Sequence, residues 1–220
     1  MKIIEENDKV IFKVDRCPYE VGHVMFKKAT IELKPGLTVL VGCNGYGKTT
    51  FLKLCQSIIK NADLKCVEFD NLRSGGKTGM GDALLYGDYS LAASMIMGSE
   101  GEGIFSMFQR KAGQIGRYVR GVDQKNLFVL IDAIDGLSIN AILELKQYLF
   151  DVAIKDAESK GKTLHFIVAS NDYEMSCCGN CLDVYKMQYT SFKDYEDYKK
   201  FILKTVEIKR KREERENGRN

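Results

Sequence analysis

Hydrophobic and polar positions change period several times along the chain. Lys2–Glu5, Val10–Asp15 and Val24–Leu33 are short β-rich runs separated by polar turns, which predicts three strands. After the Lys34-Pro35-Gly36 turn, Leu37–Val41 is a compact apolar strand. From Lys48 the period becomes helical: Phe51, Leu52, Leu54, Cys55, Ile58 and Ile59 fall on one face. Leu64–Phe69 reads as the next strand and Arg73–Gly81 as a loop. Asp82–Met97 and Glu102–Arg120 read as helices joined by a glycine-rich link at 98–103. Leu127–Ile131 and Leu164–Ala169 are unbroken apolar runs of the kind buried in a parallel sheet, with a helix from about Asn140 to Lys160 between them. Cys181–Met187 and Tyr189–Phe192 are short strands, and a charged helix runs from Asp194 to about Arg215. Both prolines, Pro18 and Pro35, precede the later helices, which therefore carry no proline kink.

Strands alternating with helices in this order predict an α/β fold with a mainly parallel sheet flanked by helices. Composition narrows the picture. The 220 residues suit one domain, and 45% hydrophobic with 29% charged residues exclude a disordered chain. No apolar run reaches the roughly 18 residues a membrane span needs. The acidic start MKIIEENDKV is unlike a signal peptide, so a soluble, cytoplasmic protein with no membrane attachment is expected. The net charge of +3 lies entirely in residues 204–220, with seven Lys+Arg and four Asp+Glu. So short a tail engages few phosphates and is weak support for a nucleic-acid partner. Of the seven cysteines, Cys177, Cys178 and Cys181 cluster. The Cys178-x-x-Cys181 pair has no second ligand pair at a recognisable spacing and reads as ordinary thiols.

The chemistry concentrates in Gly42-Cys43-Asn44-Gly45-Tyr46-Gly47-Lys48-Thr49, which fits G-x-x-x-x-G-K-[ST] between a buried strand and an amphipathic helix. Glycines let successive backbone N–H groups turn inward around phosphate oxygens, and the helix directs its positive end at them. Lys48 would reach the β- and γ-phosphates of a nucleotide, and the Thr49 hydroxyl would ligate Mg²⁺. Asp132, ending the apolar strand 84 residues after Lys48, would hold the same ion. Lys48 and Asp132 are the candidate catalytic residues.

These residues resemble the ATP-binding cassette (ABC) family. They are most similar to its soluble branch of chromosome-maintenance and repair ATPase heads and small stand-alone ATPases. The stretch from Gly36 to Thr50, with its Asn-Gly-x-Gly-Lys-Thr-Thr core, carries the resemblance, which extends to about residue 192. It implies an ABC-type P-loop domain over 1–203, with an N-terminal antiparallel β subdomain, a small helical subdomain at about 80–122, and a basic helical tail at 204–220. It implies ATP and Mg²⁺ as ligands, bound by Gly42, Asn44, Gly45, Tyr46, Gly47, Lys48, Thr49 and Thr50. Tyr19 stands roughly where the family stacks an aromatic on adenine, with Phe12 and Phe26 as competitors. Ser99-Glu100-Gly101-Glu102 looks like the family's signature sequence, which reaches a second subunit's γ-phosphate and so implies a head-to-tail homodimer. Ser99 and Glu102 equally form a helix-capping box. Asp135 and Gly136 stand at the D-loop, and Asn171 at the switch position.

Three positions depart from the family pattern. Ala133 replaces the glutamate that orients or deprotonates the attacking water, and Asn171 replaces the switch histidine. No glutamine follows Leu64–Phe69, where Asp70-Asn71 is the nearest polar pair and Asn71 the partial substitute. ATP affinity should survive these losses, with slow hydrolysis. An ATP-sensing switch acting through an unknown protein partner is the alternative. A P-loop kinase, with Arg110, Arg117 and Arg120 in a lid, is a third reading.

Overall fold

The computed structural model describes residues 2–6, 9–18, 24–70, 112–132, 137–177 and 179–217. Its strands are β1 (Lys2–Glu6), β2 (Lys9–Lys13), β3 (Thr30–Leu33), β4 (Gly36–Val41), β5 (Cys66–Asp70), β6 (Asn126–Asp132), β7 (Thr163–Ala169), β8 (Asn180–Asp183) and β9 (Gln188–Thr190). Its helices are α1 (Lys48–Asn61), α2 (described over 112–121), α3, α4 (Tyr173–Ser176) and α5 (Tyr195–Asn217). The α3 run comprises Ile139–Glu144, a π-helical turn at Leu145–Phe150, and Asp151–Glu158. The chain divides into two compact units. The first contains Met1–Lys34, Thr38–Leu64 and Ala169–Asn220; the second contains Pro35–Leu37 and Lys65–Val168.

In the first unit β1, β2 and β3 form an antiparallel sheet in that order. Alternation sets its register. Val10 pairs with Leu33 and Phe12 with Ile31, all four buried, while Lys9 and Glu32 form an exposed ion pair at 3.1 Å. A one-residue slip would turn the apolar set outward. β4 pairs in parallel with β8, and β8 pairs antiparallel with β9. The six residues foreseen on the apolar face of α1 are all buried. Phe26 and Phe51 meet edge to face at 6.0 Å.

In the second unit β5, β6 and β7 are parallel, in that order. Six of the seven residues of β6 are buried. The Tyr118 hydroxyl of α2 donates to the Lys65 carbonyl at 2.6 Å and accepts from the Phe128 amide at 3.0 Å, joining α2 to two segments of this unit. Lys162 Nζ donates to the carbonyls of Val119 and Val122 at 3.0 and 2.7 Å, at the helix end that favours a cation. The chain is thus α/β with a mixed, mostly parallel sheet, as its sequence pattern implies. Among the described residues no helix is long and apolar enough to cross a membrane.

Several elements differ from the sequence expectation. The strand foreseen over Val24–Leu33 forms only at Thr30–Leu33, because the amides of Met25 and Phe26 bond to the Arg16 carbonyl and that of Lys27 to the Tyr185 carbonyl. The strand foreseen over Cys181–Met187 stops at Asp183. There the Asp183 carboxylate accepts from the Lys186 amide and the Met187 amide returns to the Asp183 carbonyl, closing a turn. The short α4 was not foreseen. The helix foreseen from about Asn140 starts one residue earlier, at Ile139, because Ser138 caps it by accepting from the Ala141 amide. It widens midway without any proline, and the adjacent Leu149 and Phe150 there are both buried, with the Phe150 ring 4.6 Å from Phe166.

Candidate functional site

The glycine-rich loop lies within the first unit. Buried Val39, Leu40 and Val41 carry the chain to Gly42, whose φ of 140° lies in the left-handed half of conformational space. A Cβ there would sit 2.1 Å from the Tyr46 ring, so the loop closes on itself through a contact only glycine allows. The Tyr46 amide donates to the Cys43 carbonyl at 3.1 Å across this turn. Gly47 then caps α1 in a left-handed conformation, φ 110°, and the first turn of α1 contains no acidic residue. A helix N-terminus opening from a glycine loop without a carboxylate suits an anion.

Lys48 is buried and its ammonium is held at three points. Nζ donates to the Gly42 carbonyl at 2.6 Å, to the Cys43 carbonyl at 3.3 Å and to Asn171 Oδ1 at 2.8 Å. The other end of the Asn171 amide donates to Asn44 Oδ1 at 3.0 Å. The position expected to face a γ-phosphate therefore bridges the loop's crown and its lysine. Its backbone is fixed as well, because the Tyr198 hydroxyl donates to the Asn171 carbonyl at 2.6 Å. Tyr198 in turn packs edge to face on Phe192 at 5.1 Å. Asn44, Gly45 and Thr49 are exposed, so the loop's crown is open to solvent, while Thr50 is half-buried.

Tyr46 is placed otherwise than a ligand-contacting side chain. It is fully buried, 5.8 Å from the Tyr185 ring, which leaves only its backbone for a ligand. Burial, and then the neighbouring Asp183 carboxylate, push its hydroxyl well above the ordinary tyrosine range. That hydroxyl feels the carboxylate without forming a well-aligned hydrogen bond. Asp183 is itself buried and paired with Lys186 at 3.2 Å.

Residues that the sequence did not assign to the site come from α5. Thr205 is buried, and its Oγ1 accepts from the Cys43 amide at 3.0 Å while donating to the Ile202 carbonyl at 2.7 Å. Lys209 lies against Gly45: a Cβ on that glycine would be 2.9 Å from Nζ. The helix crosses residues 203 and 204 without interruption, so the change in composition there marks no structural boundary. The spacing Tyr198, Ile202, Thr205, Lys209, Arg212 could have revealed this face, being one stripe of a helix.

Asp132 ends β6 in the second unit, half-buried. Tyr19, Asn71, Ser99, Gly101, Glu102, Arg110, Ala133, Asp135, Gly136 and Cys178 lie outside the described residues. Phe12 and Phe26, the aromatic competitors of Tyr19, are fully buried core residues. Arg117 and Arg120 are exposed on α2. Cys177 and Cys181 donate to the carbonyls of Glu174 and Ser176 at 3.3 and 3.0 Å. No family model matches the chain, and no curated protein matches it.

Proposed function

We propose that the chain binds Mg·ATP at the 42–49 loop as an ATPase of the ABC type, dimerises head to tail and hydrolyses ATP slowly. The observation that carries this is the Lys48 ammonium, buried under the loop and aligned by Gly42, Cys43 and Asn171. A buried cation is costly unless surrounded by acceptors; Gly42, Cys43 and Asn171 each offer a neutral one, and a phosphate would be a stronger partner than any of these. The glycine loop and a first turn of α1 that contains no carboxylate fit the same group.

Lys48 would hold the phosphates, with loop amides from Gly45 to Thr49 around them. Thr49 and Asp132 would hold Mg²⁺, which when bound neutralises phosphate charge. Asn171 would present an amide but cannot move a proton, and Ala133 can neither orient nor deprotonate water. General-base groups contribute about 10²- to 10⁴-fold each, so turnover should be slow while affinity persists. An ATP-sensing switch that acts through a protein partner is the second reading, and the Asn171 bridge between Asn44 and Lys48 favours it.

Light scattering with and without Mg·ATP tests the dimer: a shift from monomer to dimer that Lys48→Ala abolishes is expected. Steady-state turnover tests the rate: Ala133→Glu should raise it. Brisk turnover by the unsubstituted chain, lost in Lys48→Ala, would refute slow hydrolysis.

A further inference from the structure

Lys209-Arg210-Lys211-Arg212 is the densest run of the basic tail, but the structure separates these four cations. Arg210 and Lys211 are exposed, whereas Lys209 and Arg212 fall on the stripe of α5 that faces the loop. Two hydrogen bonds fix that stripe: Tyr198 to the Asn171 carbonyl, and the Cys43 amide to Thr205. Lys209 lies one turn beyond Thr205. Its Nζ and Cε are 2.9 and 3.0 Å from the point where Gly45 would carry a Cβ. The glycine therefore leaves room for an ammonium at the crown of the loop.

A cation on the docked face of a helix is best satisfied by an anion. The carboxylate Lys209 meets is Glu213 of its own helix, at 3.6 Å and half exposed, which is a loose pair. One turn on, Arg212 Nη1 is buried without a hydrogen-bond partner, its guanidinium 5.6 Å from the Tyr185 ring. The positive side of α5 thus rests on a loop suited to anions, and the loop supplies no carboxylate at Gly45.

We infer that Lys209 is a second phosphate-binding lysine, supplied to the nucleotide from the C-terminal helix. The inference rests on the nucleotide assignment above and adds a residue to it. Lys209 approaches the loop from outside, opposite in sequence to Lys48, and its long stem lets the ammonium turn from Gly45 and Glu213 to a phosphate oxygen.

The test is equilibrium binding of Mg·ATP and Mg·ADP to the full chain, comparing Lys209→Gln, Lys209→Arg and, as a control on the same helix, Lys211→Gln. Lys209→Gln should weaken binding about fivefold, as for a partly exposed charge-assisted contact. Lys209→Arg should restore most of the affinity and Lys211→Gln should leave it unchanged, with melting temperatures equal throughout. The loss should shrink as salt rises. Unchanged or tighter binding in Lys209→Gln, where Lys48→Ala still abolishes binding, would overturn this inference alone. Absence of binding by the unsubstituted chain would overturn the nucleotide assignment and this inference with it.

Discussion

Tyr118 shows how much a single hydroxyl can organise. It serves the Lys65 carbonyl, the Phe128 amide and the Gln124 side chain at 2.6, 3.0 and 3.1 Å. Tyr118→Phe should cost about 1–3 kcal/mol, since the buried bonds to the Lys65 carbonyl and the Phe128 amide are lost together; urea unfolding measures this. Burial raises the pKa of Tyr46, Tyr118 and Tyr189, in each case as the largest cause. A raised phenol pKa means that the unfolded chain releases its proton first. The associated stability is therefore complete below about pH 10 and is lost as pH climbs toward the folded-state values. Ultraviolet titration should show at least three of the 11 tyrosines ionising only when the chain unfolds. At this scale Lys48 and Asn171 were legible because motif spacing names them. The inward turn of Tyr46 was not, because its burial depends on Tyr185 and Asp183, more than 130 residues away.

Among elements, those set by local period were read best. α1 buries every foreseen position, and β6 and β7 match their apolar runs nearly to the residue. The misread ends are set by distant or side-chain partners: β3 loses its first half to Arg16 and Tyr185, and β8 ends where Asp183 captures Lys186. A π turn has no signature in hydrophobic period, so α3 reads as an uninterrupted helix. The loop between β4 and α1 makes a sharper claim. Gly42→Ala adds a Cβ 2.1 Å from the Tyr46 ring at a φ of 140°. Strain and overpacking together should lower stability by more than about 2 kcal/mol. Thermal melting would detect that loss, and nucleotide binding should fall with it.

For the whole molecule the charge count takes on a location. The +3 resides in the last 17 residues, and part of it, Lys209, lies half-buried against the glycine loop. The α/β class and mostly parallel sheet were legible from the order of apolar runs. The contribution of α5 to the site was not, since it depends on a helix at the end of the chain returning to residues 43–45. If Asp132 holds the metal, Asp132→Ala should weaken the dependence of ATP binding on added Mg²⁺ while metal-free binding stays near its original level; a magnesium titration at fixed ATP reads this directly. The central claim is that Lys48 and its loop bind nucleotide. Isothermal titration of Mg·ATP into the unsubstituted chain and into Lys48→Ala decides it. We expect one saturable site in the first and a loss of at least about tenfold in the second, as for a charged hydrogen-bonded contact. Equal heats in both, or none in either, would contradict the account.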